Sequence, residues 1–140
     1  MESLDLTAAP PRAPRAEMAG IIFLPRTIDK VRATLPGGKT GEYNISGFSE
    51  TLLETLGIPL QNFTAAVANS ASDEDVGKFV QSSATPERIA QWNAMIRERQ
   101  PHGGDREAAY KSYPWLRDRP DLVLALDVLA EDDRVLFAKK

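Results

Sequence analysis

The sequence predicts a mainly α fold, a single compact domain of several short helices behind an extended, proline-rich N-terminal arm. Three observations predict it. Apolar residues recur three and four positions apart in successive stretches, the period of a helix face. Each stretch is bounded by residues that start or stop helices. Pro10, Pro11 and Pro14 exclude a helix from the first sixteen residues. With 140 residues, 42% of them hydrophobic, the chain has material for one real core.

Residues 1–16, "MESLDLTAAPPRAPRA", are expected to follow an extended, polyproline-like path. A flexible tail, an arm laid across the domain with Arg12 and Arg15 on it, and a proline-rich ligand for a partner are all compatible with that composition. The packed arm is the reading adopted, with residues 17–140 as the single helical domain.

Pro25 suits the first position of a helix, and "PRTIDKVRATL" follows it. Leu24, Ile28, Val31 and Leu35 form one apolar stripe, while Arg26, Asp29, Lys30 and Arg32 fall off it. Pro36, Gly37 and Gly38 end the helix. A second helix is expected over "FSETLLETLGIP", capped by Ser49, with Leu52, Leu53 and Leu56 inside and Gly57 at its end. A third starts near Pro59 and runs through Phe63 and Val67 to about Ala68. A fourth opens at Ser72 with three acids in its first turn and buries Val76, Phe79 and Val80. Thr85 and Pro86 open a fifth, with Ile89, Trp92 and Ile96 on its apolar face. After the loop "QPHGGD", a sixth spans about Asp105 to Ser112. Residues 120–140 fit a helix by the spacing of Leu122, Leu126 and Leu129, and "DLVLALDVL" also fits a buried strand.

Composition removes whole classes of chemistry. Without cysteine there is no disulfide, thiolate metal site or cysteine nucleophile. The one histidine, His102, rules out the usual multi-histidine metal site. No apolar run approaches a membrane span, and the N-terminus lacks a signal peptide's order, so a soluble, cytoplasmic protein is expected. The net charge of −3 divides into +2 over residues 1–40, −5 over 41–88 and zero over 89–140, with no basic stripe of the kind nucleic acid requires.

"PGGKTGEYN" contains Gly38-Lys39-Thr40, the ending of a phosphate-binding P-loop. That motif needs a glycine where Ala33 stands, a strand before it and a helix directly after. Here a helix precedes and the glycine-broken "GEYNISGF" follows, so the triplet reads as a turn.

The stretch "PRAPRAEMAGIIFLPRTIDKVRA", then a glycine-rich gap and "GEYN", then "LLETLGI", "AAVANSASDEDV" and Trp92-Asn93, resembles a bacterial family catalogued only as a domain of unknown function. The resemblance runs from Asp5 to about Arg99 and is tightest over the first 45 residues. It implies a small, mostly helical, cytoplasmic protein and brings no activity, cofactor or catalytic residue with it.

The polar residues of that signature are Arg12, Arg15, Arg26, Asp29, Lys30, Arg32, Glu42 and Tyr43. Asp29 lies three residues from both Arg26 and Arg32, and the Gly37-Gly38 turn can carry Glu42 and Tyr43 back toward them. Three readings follow. The group is an ion-paired cluster pinning the arm, an anion pocket with excess positive charge, or a catalytic site with Asp29 or Glu42 as base and Tyr43 or Lys30 as acid. Trp92 is expected in the core and His102 in solvent. Asp127, Glu131, Asp132 and Asp133 lack calcium-loop spacing and are expected as a solvated acidic turn. The functional expectation is a binding or interaction protein, without cofactor or metal, whose partner is a small anionic ligand or another protein and not nucleic acid or membrane. The alternative is a small cofactor-independent enzyme acting on an anionic metabolite.

Overall fold

The computed structural model describes residues 1–139. It is mainly helical, with β1 (Glu17–Met18), β2 (Ile21–Ile22), α1 (Leu24–Thr34), α2 (Phe48–Leu56), α3 (Leu60–Asn69), α4 (Asp73–Ser83), α5 (Pro86–Glu98), α6 (Arg106–Ser112) and α7 (Ala125–Ala138). Short 3-10 turns precede and follow α6, at Pro101–Gly104 and Pro114–Asp118. The chain's contacts gather into two units, Met1–Asn93 and Ala94–Lys140. Among the described residues no helix is long and apolar enough to cross a membrane.

In the first unit the arm is tied down along its length. Leu4 N–H donates to Arg32 O, Lys39 N–H to Leu4 O and Leu6 N–H to Lys39 O, a short parallel bridge with the turn that follows α1. The Met1 ammonium donates to the carbonyls of Val67, Ala68 and Ser70, at the negative end of α3. The path is not uniformly extended. Ala8 N–H returns to Asp5 O, and Ala16 N–H to Ala13 O. Leu6, Pro11 and Pro14 are buried.

A two-residue hairpin then forms, which helical periodicity gave no reason to expect. Met18 pairs with Ile21 and Glu17 with Ile22. Its turn residues, Ala19 and Gly20, both have positive φ (55° and 75°), the geometry that suits a tight hairpin. Two strands this short cannot stand alone. Three bonds from α5 hold them: Trp92 Nε1–H donates to Ile22 O (2.7 Å), Asn93 Nδ2–H to Gly20 O (2.7 Å), and Asn93 Oδ1 accepts from Ile22 N–H (3.0 Å). The Trp92-Asn93 pair therefore staples the "GII" segment.

α1 opens at Phe23, whose φ of 78° is unfavourable for a residue with a side chain. The expected stripe of Leu24, Ile28 and Val31 is fully buried, and Leu35 is half-buried. Arg26, Thr27 and Asp29, off that stripe, are buried as well, so α1 is enclosed on more sides than its amphipathic pattern indicates. α2 is capped two residues before expectation, because Gly47 and not Ser49 occupies the cap position. Ser49 is buried instead, its Oγ 3.0 Å from Thr27 Oγ1, and Thr27 itself donates back to Phe23 O. Ser72 caps α4 through Asp75 N–H, and Thr85 Oγ1 accepts from Arg88 N–H at the start of α5. Phe79, expected inside, is only half-buried.

In the second unit residues 125–138 resolve the helix-or-strand alternative as helix. Ala109, Leu116 and Val128 form a small core beneath Tyr110, Tyr113, Trp115 and Leu122. Asp127, Glu131, Asp132 and Asp133 sit on α7, not on a turn. Asp133 is buried, Asp132 accepts from Trp115 Nε1–H (3.0 Å), and Glu131 lies beside Arg134 and Arg119. Arg119 also pairs with Asp121 at 2.9 Å.

These pairs set an acid response. The Arg134 hydrogen bond lowers the Glu131 pKa, and the Arg119 hydrogen bond lowers that of Asp121. A carboxylate whose folded pKa is depressed stabilises the fold above its unfolded pKa and loses that contribution as pH falls through the folded value. Thermal melts from pH 7 down to pH 3 should therefore show stability dropping at the acid end. Glu131→Gln should lower the neutral-pH melting temperature slightly and flatten the acid slope; an unchanged slope would show that Glu131 plays no part in it.

Candidate functional site

The polar cluster is built where the arm crosses the middle of α1 and the first turn of α4. Pro11 and Pro14 are buried on either side of Arg12 and so fix its entry. Arg12 then bridges two carboxylates. Its Nη2–H donates to Asp29 Oδ1 (2.9 Å), its Nη1–H to Asp73 Oδ2 (2.8 Å) and its Nη2–H to Asp73 Oδ1 (3.0 Å). Arg12 Nε–H lies 3.1–3.2 Å from both Asp29 oxygens, and the Arg12 backbone N–H donates to Asp29 Oδ2 at 2.7 Å. Only a planar guanidinium can serve two carboxylates from one side chain in this way. Partial burial works against the Arg12 charge, but the hydrogen bonds to Asp73 and then Asp29 outweigh it and raise the pKa above its usual value. Asp29, at 6% side-chain exposure, is the more enclosed partner, against 35% for Asp73.

Beside this clamp lies a layer of cations and rings. Arg26 is buried, donates Nη1–H to Arg12 O (3.2 Å), and places its guanidinium carbon 5.8 Å from the Phe23 ring centre and 5.5 Å from that of Tyr43. Lys30, one turn further along α1, has Nζ 5.7 Å from the same Phe23 ring. Each cation thus meets the negative face of an aromatic ring. Phe23 is held in turn by edge contacts to Phe48 (6.1 Å) and Trp92 (6.4 Å). A strained, aromatic residue held from several sides beneath two cations is the kind of locally costly arrangement found at functional positions.

Of the eight residues singled out from sequence, the structure brings Arg12, Arg26, Asp29, Lys30 and Tyr43 together. Arg32 faces elsewhere, donating Nε–H to Glu2 O (2.8 Å) to hold the start of the arm. Glu42 is exposed and does not join the network, because Tyr43 N–H closes a turn onto Thr40 O that leaves only the tyrosine turned inward. Arg15 is exposed. Two contributors escaped the sequence reading. Asp73 read as one of three acids favouring a helix start, and nothing local marks it as the partner of an arginine 61 positions away. Phe23 stands in the apolar stretch Ile21–Leu24, and its place directly before Leu24-Pro25 is the one local sign that it opens the helix.

The geometry bears on chemistry. Both Asp29 oxygens are occupied as acceptors from Arg12, so proton abstraction there would first require Arg12 to leave. Glu42, the other proposed base, lies exposed outside the network. Among the described residues no group of three or more His, Asp or Glu side chains is placed to hold a metal ion. The arrangement is a fixed clamp of one cation and two carboxylates, and next to it two more cations set against aromatic rings.

A family model described as a domain of unknown function, DUF5069, matches residues 8–135. No curated protein matches the chain.

Proposed function

We propose, from the premise that this chain belongs to the DUF5069 family, that it is a binding protein whose ligand is a small carboxylate- or phosphate-bearing molecule. The ligand is recognised at Lys30 and Tyr43, the half-buried edge of a layer in which Phe23 and Arg26 lie buried. The observation that carries this reading is the composition of the cluster. Three cations, Arg12, Arg26 and Lys30, are grouped with two carboxylates, and both carboxylates converge on Arg12. The sum over these five residues is one positive charge, placed against aromatic faces that favour cations. In this account Arg12 and the buried Arg26 position, and Lys30 recognises.

A thermal-shift series with citrate and with inorganic phosphate tests it. A ligand at a hundred times its dissociation constant adds roughly 2.7 kcal/mol of stability. Wild type should show a rise in melting temperature with at least one of the two anions, and Lys30→Ala should keep its fold and lose most of that rise. Equal shifts in both proteins, or none in wild type, would overturn the assignment.

A further inference from the structure

A second feature lies in the second unit and is independent of the cationic cluster. The chain's one histidine and a serine are in contact there. His102 Nε2 and Ser112 Oγ stand 2.7 Å apart, and both residues are exposed. At that separation an imidazole can take the proton of a hydroxyl that attacks a substrate. Among the described residues neither side chain makes any other bond. Solvent therefore holds the Nδ1 proton in the tautomer that leaves the Nε2 lone pair to Ser112.

The backbone builds this pair. Buried Pro101 anchors the loop immediately before His102. His102, Gly103 and Gly104 then take successive positive φ values of 53°, 66° and 95°. Glycine adopts that region freely, but a histidine there is strained and must be held by its surroundings. Asp105 holds it. The Asp105 N–H donates to His102 O (3.2 Å), and its carboxylate accepts from Ala108 N–H (3.1 Å) to cap α6. Ser112 is the last residue of that helix. The loop carrying the imidazole and the helix carrying the hydroxyl are thus joined through Asp105, and the His102–Ser112 bond closes the ring between them. The loop also leaves an approach: a Cβ at Gly103 would meet nothing within 4 Å, so the space beside the histidine is open.

We infer that Ser112 is a nucleophile with His102 as its general base, and that the pair transfers acyl groups from small activated esters to water. Ser112 Oγ bonds to the acyl carbon as its proton passes to His102 Nε2. The ester C–O bond then breaks, and Nε2 returns the proton to the leaving oxygen. Water attacks the acyl-serine, again through His102, which releases the carboxylic acid and restores the Ser112 hydroxyl. Nothing is oxidised or reduced. Because both residues are exposed, water solvates the negative oxygen of the intermediate. Water stabilises it less than preorganised donors in a closed site would. The substrates are therefore esters with a good leaving group, such as aryl esters, and not amides.

The test treats the intact protein with p-nitrophenyl acetate, following nitrophenolate release, and with diisopropyl fluorophosphate, mapping the modified residue by peptide mass. The expected result is covalent labelling at Ser112, with fluoride as leaving group. Nitrophenolate release should fall at least about a hundredfold in Ser112→Ala and in His102→Asn, the lower range of general-base assistance. Asparagine is the replacement at His102 because it tolerates a left-handed backbone. Unchanged melting temperatures show that these two exposed substitutions leave the fold intact. Release from Ser112→Ala equal to wild type would mean that His102 or a surface lysine reacts alone, and overturns the inference. Release from His102→Asn equal to wild type reduces the bond to a tie at the end of α6, and overturns it as well. Wild type left unlabelled at Ser112 by the fluorophosphate overturns it whether or not the variants fold.

Discussion

Trp92→Ala should destabilise the protein by about 4 kcal/mol, the largest effect expected of any single substitution considered. Replacing a buried tryptophan by alanine costs about 3–5 kcal/mol through lost transfer energy and the cavity left behind. Trp92 is fully buried and meets the edge of Phe23. Its Nε1–H also satisfies Ile22 O in the hairpin, so truncation strips that carbonyl of its donor. The variant should therefore lose amide-exchange protection first at Ile21–Ile22, with Phe23 losing its packing next. Trp92→Phe separates the two contributions: it keeps most of the volume and removes only the donor, at about 1–3 kcal/mol. Urea melts of the two variants check this. If both cost the same, the hydrogen bond and not the ring dominates, and the packing account of Phe23 fails.

Arg12→Ala should cost about 2–3 kcal/mol, less than the 3–5 kcal/mol typical of breaking a fully buried pair, since Arg12 retains 37% side-chain exposure and water can partly replace it. The cost arises mainly at Asp29, which is left enclosed without its guanidinium partner. Arg12→Lys should recover little, because an ammonium cannot span Asp29 and Asp73 with paired planar bonds. A double-mutant cycle with Asp29→Asn gives the decisive number. The double variant should be markedly more stable than the sum of the two single losses, because each removes the other's penalty. Additive losses would mean that the clamp seen between arm and α1 does not bear load.

The parts of this structure that were legible from sequence share one property: the information lies within a few residues. Helix α5 could be placed because Thr85, Pro86 and the spacing from Ile89 to Ile96 are all local, and α4 because Ser72 caps its own helix. The hairpin could not, since two-residue strands have no period, and their support comes from Trp92 and Asn93 some seventy positions on. The same holds at the candidate site. Arg26 and Asp29 were singled out because they sit a turn apart on a helix, but their polar character pointed to the surface, and both are buried. What buries them is the arm, through Arg12. Glu42 illustrates the opposite error. It adjoins Tyr43 in sequence, yet neighbouring residues on an irregular segment need not face the same way, and only the tyrosine reaches Arg26. The C-terminal segment was ambiguous because leucines spaced three and four apart are interleaved with other apolar residues, so both periods were satisfied at once.

The claim that Lys30 and Tyr43, at the edge of the buried Phe23 and Arg26 layer, recognise an anion is tested most directly by calorimetric titration of citrate into wild type and into Lys30→Ala. The account predicts saturable one-to-one binding to wild type that weakens as salt is raised, since the attraction is between charges. It also predicts at least about a tenfold weaker association for Lys30→Ala. A wild-type titration without binding heat at any salt concentration, or the same affinity in both proteins, would contradict it.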